Sequence, residues 1–186
     1  MGAIVIDPRA VISFQPMQHP SFARKAEAKS ELTILGPEVM VGPFALLYAG
    51  ASIGGYTVIA PYAVVRENAV IGTGCIIGQK VQIGHDCVIG NDVRIMDGAH
   101  LSGGCTVGDG SFIAQGVLTA NDDSPVGYES KPLQPVHIGK NCQIGHGAIL
   151  RPGITIGDGA RVASGALVVK SVDAGATIKG WPARCL

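Results

Sequence analysis

The sequence predicts an all-β fold, a parallel β-helix of about seven turns with one expelled loop and a short N-terminal cap. From Leu35 to Ile113 every sixth residue is Leu, Ile or Val, fourteen in succession, and the phase resumes from Ile138 to Val168. A period of six fits neither an amphipathic helix nor a half-buried strand. It is typical of short strands wound into a three-sided prism, with one aliphatic side chain per face pointing inward. Counting Thr119, the 21 inward positions make about seven turns of three hexads each.

Two further regularities mark the corners of this prism. Eleven of the 21 inward residues are followed directly by glycine, which predicts corner dihedrals that other residues resist. The fourth residue after an inward position is usually small, and four cysteines share this phase: Cys75, Cys87, Cys105 and Cys142. Because free cysteine packs as a small hydrophobe, we expect these four to fill inward slots rather than to serve redox or metal chemistry.

The repeat divides the chain into three parts. Residues 1–34 lie outside it, carry three prolines and are expected to cap one open end of the prism. Residues 35–173 form the β-helix, and 174–186 form a C-terminal tail. Between Thr119 and Ile138 the repeat slips out of phase, which predicts an expelled loop over 120–137. Such a loop is either a binding element on a rigid scaffold or a tolerated surface insertion.

Composition excludes several classes of function. Lys plus Arg and Asp plus Glu both number 14, so a nucleic acid or an anionic membrane surface is not the expected main partner. No uninterrupted apolar stretch is long enough to span a bilayer. The N-terminal residues lack the basic start of a signal peptide, and five cysteines without a paired pattern fit a reducing compartment. We therefore expect a cytoplasmic protein.

The C-terminal part of the repeat carries a family resemblance. It reads PVHIGKN at 135–141, LRPGITIGD at 150–158 and GWPAR at 180–184. These segments resemble the hexapeptide-repeat acyltransferases, the left-handed parallel β-helix superfamily, although Trp181 stands where CoA-dependent members usually have Asn. The resemblance implies left-handed coiling and a homotrimer that holds the pantetheine arm of acetyl-CoA between two prisms. The residues then expected to contact the cofactor are Ala148, Ala166, Lys179 and Arg184.

The segment IGHDCVIG at 83–90 resembles the catalytic segment of two acyltransferase groups. One group is the UDP-N-acetylglucosamine O-acyltransferases of lipid A synthesis, and the other is the bacillosamine-type nucleotide-sugar N-acetyltransferases. The resemblance implies that His85 is a general base, that Asp86 orients it, and that a backbone N–H one turn on faces the thioester oxygen. Gly103 follows His85 by three hexads, which is one full turn, so the two corners should stack. The alternative is a polar corner histidine with an acidic neighbour.

Other polar residues are candidates for substrate contacts. Asp97 and His146 share a corner phase with Gln115, so the three should line one edge, whereas His100 should point outward from a strand. Asn121 and Asp122 stand at the root of the loop, where related sugar N-acyltransferases carry a similar Thr-Asn-Asp segment. For each of these residues the alternative is a solvated position on the edge.

Three classes of function remain consistent with the composition, the repeat and the motifs. The leading hypothesis is an acetyl-CoA-dependent acyltransferase that N-acetylates an amino sugar carried on a nucleotide, with no metal. An O-acyltransferase that uses acyl carrier protein is the alternative within that class. A γ-type carbonic anhydrase would need three histidines on zinc, two of them in a closely spaced pair that the repeat does not contain. A purely structural β-helix is the third possibility.

Overall fold

The computed structural model describes residues 3–17, 27–123 and 132–185, and within these ranges the regular structure consists of strands alone. No described segment forms a helix that could cross a membrane. In chain order the first strands are β1 (Val5–Ile6), β2 (Val11–Phe14), β3 (Ile34–Leu35), β4 (Met40–Val41), β5 (Leu46–Tyr48), β6 (Ser52–Ile53), β7 (Val58–Ile59), β8 (Val64–Val65), β9 (Val70–Ile71), β10 (Ile76–Ile77), β11 (Gln82–Ile83) and β12 (Val88–Ile89). The remaining strands are β13 (Arg94–Ile95), β14 (His100–Leu101), β15 (Thr106–Val107), β16 (Phe112–Ile113), β17 (Leu118–Thr119), β18 (His137–Ile138), β19 (Gln143–Ile144), β20 (Ile149–Leu150), β21 (Thr155–Ile156), β22 (Arg161–Val162), β23 (Leu167–Val168), β24 (Thr177–Gly180) and β25 (Ala183–Cys185).

These strands form the three faces of a left-handed parallel β-helix of about eight turns. Sheet A runs from β1 through every third strand, β4 to β22, and ends with β24 and β25. Sheet B runs from β2 through β5 to β23, and sheet C from β3 through β6 to β21. Neighbouring turns pair in parallel at a spacing of three hexads, as where Ile77 lies opposite Ile95. The period of six in the sequence is thus the period of the fold.

The inward aliphatic residues form one continuous core along the prism. Ile83, Ile144 and Leu150 are fully buried, and the same holds for nearly every residue in this phase. Each such side chain contributes roughly 1.5–3 kcal/mol of gross burial free energy. Because a single turn could not offset its own chain entropy, the turns are stable only when they stack.

The glycines that directly follow inward residues serve a different purpose from the predicted one. None of these eleven, all within the described ranges, has a positive φ. The left-handed conformation falls two residues later, as at Asp86 (φ 55) and Asp92 (φ 56). At Gly145 an added Cβ would clash with the backbone nitrogen of Ser164 in the next turn and would lie 2.7 Å from the carbonyl carbon of Ala163. These glycines are therefore required by close backbone approach between turns.

Both ends of the chain extend the sheets. β1 pairs in parallel with β4, and β2 pairs with β5, so these strands add to the prism where a cap was expected and bring the turns to about eight. At the other end β24 continues sheet A beside β22, and the chain then reverses so that β25 pairs with it in antiparallel fashion. The predicted boundaries at 34 and 173 stay predictions.

The four cysteines of the repeat occupy inward slots, as predicted, and all are unpaired. Burial raises the pKa of Cys87 to about 12 and also raises the pKa of Cys75, Cys105 and Cys142. These groups therefore remain protonated thiols near neutral pH, and the thiolate is the reactive form. Cys185 is exposed on the last strand.

Thiol titration checks this arrangement. With Ellman's reagent at pH 8, the native protein should release about one equivalent of thionitrobenzoate per chain, from Cys185, because only that thiol is accessible. In guanidinium chloride all five cysteines should react. The Cys185→Ser variant should lose the native reaction. Rapid reaction of any remaining thiol in that variant would contradict the described core.

Candidate active site

The corner between sheets B and C carries the candidate catalytic residues, and we call it the His85 edge. It contains the second residue after each inward position of sheet B: Glu67, His85, Gly103 and Asn121, in successive turns. The stacking is fixed by backbone hydrogen bonds, since Asp86 donates to the Glu67 carbonyl at 3.0 Å and Gly104 donates to the His85 carbonyl at 2.8 Å. The predicted stacking of the Gly103 corner on the His85 corner is therefore present.

His85 and Asp86 form a hydrogen-bonded pair on this edge. The imidazole Nδ1 lies 2.9 Å from Oδ2 of Asp86. With the carboxylate as acceptor, we assign the hydrogen to Nδ1, which leaves Nε2 of the neutral ring able to accept a proton. Partial burial raises the pKa of Asp86, but hydrogen bonds from His85 and Lys29 outweigh that effect and lower it overall. Asp86 is thus ionised near neutral pH and suited to orient the ring.

Gly103 provides the space that the imidazole occupies. A Cβ added at Gly103 would clash with Nε2 of His85 and would lie 2.7 Å from two carbons of the imidazole ring. Only glycine therefore allows the ring to lie where it does. Among the hydrogen bonds of the described residues, none is donated by the Gly103 backbone N–H. The edge thus combines a proton acceptor with a backbone donor that has no protein partner in that part of the chain, the two groups that acyl transfer requires.

The root of the expelled loop is tied to the same edge. Nδ2 of Asn121 donates to the carbonyl of Gly103 at 3.0 Å. The carbonyl of Asn121 accepts from the N–H of Gln134 at 2.9 Å, which joins the two ends of the loop. Asp122 is partly exposed beside them. Residues 124–131 of the predicted loop lie outside the described residues.

Two features of the edge were not predicted. Lys29 reaches Asp86 from the N-terminal segment, with its Nζ 3.2 Å from Oδ1. Glu67, whose side chain is only 2% exposed, accepts hydrogen bonds from Arg66 at 2.7 and 3.0 Å. Glu67 precedes His85 by one full turn, so the spacing that found Gly103 would also have found it. No repeat leads to Lys29, because it lies before the first inward position.

The other predicted edge exists but lies elsewhere on the prism. Asp97, Gln115 and His146 stack at the corner between sheets A and B, linked by backbone hydrogen bonds of 2.9–3.1 Å. His146 lines a groove of about 260 Å³ together with side chains of sheet A, among them Phe112, Gln143 and Arg161. Within one chain this groove and His85 lie on different corners. We call the corner of His146 the His146 edge.

The remaining predicted residues fall into three groups. His100 is exposed on the outer face of sheet B, as predicted. Lys179 and Arg184 lie opposite each other on β24 and β25, which brings two cations together. Ala148 and Ala166 are fully buried in the core, where their small size suits the inward slot. Their predicted contact with a cofactor stays a prediction.

The described ranges contain no group of three or more His, Cys, Asp or Glu side chains arranged to bind a metal ion.

The fold and the His85 edge together define a hexapeptide-repeat β-helix protein with a histidine positioned to accept a proton.

Comparison with known proteins identifies the family. The model of the bacterial transferase hexapeptide family (six repeats) matches residues 50–85, 86–121 and 135–170. Since these segments make up more than half of the chain, the protein belongs to this family. A search of curated proteins finds no match.

Solved structures show the same fold. The chain is similar to the UDP-N-acetylglucosamine acyltransferase of Francisella novicida, at 18% identity and a TM-score of 0.61, over 98% of this chain and 70% of that one. It is similar to a mutant of AntD, an N-acyltransferase from Bacillus cereus in complex with dTDP and coenzyme A, at 20% identity and a TM-score of 0.51, over 82% of each chain. It is also similar to the acetyltransferase domain of PglB from Neisseria gonorrhoeae, at 23% identity and a TM-score of 0.45, over 99% of this chain but only 58% of that one. At these identities the first two likenesses establish the fold.

The Gly103→Ala variant tests the geometry of the His85 edge. The φ of Gly103 is not in the left-handed region, and the obstacle to a Cβ is a side chain that can rotate. We therefore expect the variant to fold with a melting temperature close to that of the parent but with the imidazole displaced and its hydrogen bond to Asp86 lost. A crystal structure of the variant, or its histidine ring NMR signals, checks this. An unmoved ring would contradict the described packing.

Proposed function

We propose that the protein is an acetyl-CoA-dependent acyltransferase that N-acetylates an amino sugar carried on a nucleotide, with His85 as general base. The observation that carries this proposal is the placement of Nε2 of His85 against Gly103, with Asp86 on the opposite nitrogen of the ring. Membership of the transferase hexapeptide family and the resemblance of residues 83–90 to the catalytic segment of sugar acyltransferases point the same way.

The chemistry follows from the donors and acceptors on the edge. The amino nitrogen of the sugar attacks the thioester carbonyl carbon while Nε2 of His85 takes a proton from that nitrogen. The electron pair of the C=O bond moves onto oxygen, where the N–H of Gly103 stabilises it. The tetrahedral intermediate then re-forms the C=O bond and breaks the C–S bond. The imidazolium returns its proton to the departing sulfur of CoA, so the base is regenerated.

Residues around the edge are assigned to the two substrates. Asn121 and Asp122, at the loop root, would contact the acceptor beside His85 and Gly103. Lys179 and Arg184 would bind phosphates of the donor, because paired cations recognise phosphate well. Coenzyme A bound to AntD makes acetyl-CoA the first donor to test. No residue in this mechanism requires a metal ion.

A homotrimer would complete the site. The outer face of sheet B presents an apolar row broken only by Gln82 and His100: Val11, Leu46, Val64, Leu118, Ile149 and Leu167. Sheet B is bounded by the His85 edge on one side and the His146 edge on the other. If three chains turned sheet B toward a common axis, the His85 edge of one would meet the His146 edge of the next. Closed symmetry would also cover the apolar row.

Calorimetry and donor selection test the proposed activity. Titration with acetyl-CoA should show micromolar binding at about one site per chain, with free CoA and ADP as controls. Release of CoA should then depend on an amino-sugar nucleotide as acceptor. Turnover with acyl carrier protein and a hydroxyl acceptor, or binding of neither donor together with one zinc per chain, would overturn the proposal.

Substitution of the base tests the assigned roles. His85→Ala should lower kcat by about 10²–10⁴-fold, the usual contribution of a general base, while leaving acetyl-CoA binding unchanged. Asp86→Asn should lower kcat less than His85→Ala does, because the ring remains but its preferred tautomer is lost. His137→Ala, on the outer face of sheet C, is the matched control and should retain activity. Full activity of the His85→Ala variant with a verified substrate would refute the role.

Native mass spectrometry tests the assembly. Leu118 is 44% exposed on sheet B and Val88 is 48% exposed on sheet C. Leu118→Glu should convert a species of three 19.0-kDa chains into monomers, because it places a charge in the proposed interface. Val88→Glu adds the same charge at similar exposure and should leave the trimer intact. The opposite pattern would show that sheet C forms the interface.

A further inference from the structure

The N-terminal segment is clamped onto the prism one turn below Asp86. Asn68 occupies the left-handed corner position there, with φ 59. Its Oδ1 accepts from the backbone N–H of Lys29 at 2.7 Å, and its Nδ2 donates to the carbonyl of Glu27 at 2.9 Å. In the turn before, Gly50 leaves the space for this side chain, since a Cβ there would lie 2.5 Å from Oδ1 of Asn68. One side chain therefore fixes the backbone at both ends of 27–29.

The clamp determines where the Lys29 side chain can reach. From its fixed backbone Lys29 extends one turn along the edge, and its Nζ donates to Oδ1 of Asp86 at 3.2 Å. The other oxygen of the same carboxylate, Oδ2, lies 2.9 Å from Nδ1 of His85. Asp86 therefore bridges an ammonium group and the imidazole, one on each oxygen.

We propose that Lys29 is a positioning residue that acts on the base through Asp86, and that Asn68 is the clamp that holds it there. This inference rests on the proposed function of His85. By occupying Oδ1, Lys29 fixes the rotation of the carboxylate so that Oδ2 faces the ring. Its positive charge also favours the ionised form of Asp86. The carboxylate therefore keeps accepting from Nδ1, and the ring keeps the tautomer in which Nε2 is free to take a proton.

Few other charges face this pair within the described residues. In the turn below, the carboxylate of Glu67 is held by the guanidinium of Arg66. In the turn above, Gly103 and Gly104 carry no side chain, and Asp122 is the first ionisable residue at the loop root along the chain. His100 lies on the adjacent strand of sheet B. Lys29 is the cation that contacts Asp86 directly.

An NMR titration tests the coupling without reference to activity. The side-chain carboxyl carbon of Asp86 is followed with pH in the parent and in Lys29→Met. Loss of the ammonium group should raise the pKa of Asp86 above its value in the parent, because a hydrogen bond and a favourable charge are removed. Lys29→Arg should restore it. An unchanged Asp86 titration in Lys29→Met would overturn the proposal even if the enzyme proves fully active.

Lys170→Met is the matched control, because it removes the same charge from the same corner. Lys170 is the second residue after an inward position, as His85 is, but it follows β23, four strands along sheet B from β11. At about 4.8 Å per strand the distance is roughly 19 Å, beyond the Debye length at physiological salt. This variant should leave the Asp86 titration unchanged.

The split between kcat and KM gives the second readout. If Lys29 positions the base through Asp86, its loss misplaces the imidazole ring without removing a contact to the substrate. Lys29→Met should therefore lower kcat by about 1.5- to fivefold, the range expected of an exposed ion pair, and leave KM unchanged. A higher KM at unchanged kcat would indicate a role in substrate binding instead and would overturn the proposal.

Asn68→Gly tests the clamp separately. Glycine accepts the left-handed φ of this position more readily than Asn does, so the change introduces no backbone strain. It releases Glu27 and Lys29 while retaining the lysine itself. We expect the same direction of change in the Asp86 titration as for Lys29→Met. A parent-like titration in Asn68→Gly would show that Lys29 finds Asp86 without the clamp.

Discussion

Parallel pairing of successive turns, with one aliphatic side chain per strand buried inside, is the interaction on which the rest of the structure depends. It places each corner residue directly over the one a full turn earlier, so the corners form ladders. On several of them an acidic or amide oxygen accepts the backbone N–H of the turn below, as where Asp97 accepts from Gln79 at 2.9 Å and Asp109 accepts from Asn91 at 2.8 Å. At the His85 edge the corresponding residue is Gly103, which has no side chain. The candidate site is therefore a local interruption of a structural ladder.

That interruption exchanges a structural hydrogen bond for space beside the backbone. Where Asp97 satisfies the amide below it, Gly103 has no side chain that could accept from the N–H of His85 and instead admits the imidazole ring. The described part of the chain also supplies no acceptor for the N–H of Gly103. An unsatisfied donor costs free energy unless a ligand pairs with it. Burial of the aliphatic core in the turns on either side offsets that cost in free energy. Asn121, one turn later, does not resume the ladder, because its Nδ2 donates to the Gly103 carbonyl and the Gly103 N–H stays without an acceptor among the described residues.

Most of the fold could be predicted from the sequence, because one aliphatic residue in six leaves a signal that tertiary context does not obscure. The same arithmetic placed Gly103 over His85 and grouped Asp97 with His146. It did not reveal that glycines such as Gly145 are required because the backbones of successive turns approach closely, since that depends on the distance between turns. The repeat did not predict the contact of Lys29 with Asp86, because the position of Lys29 depends on a side-chain clamp by Asn68. It also did not predict the groove beside Phe112. Contacts made by irregular segments leave no periodic trace.

The register across the expelled loop has an evolutionary consequence. Thr106 pairs with His137, so the connection between these strands is longer than an ordinary turn by more than two hexads. The pairs before and after this point are nonetheless in the ordinary alignment. The register of the solenoid therefore does not constrain the length of the segment inserted at this joint. Recombination or gradual lengthening there could change the surface beside His85 without disturbing the scaffold.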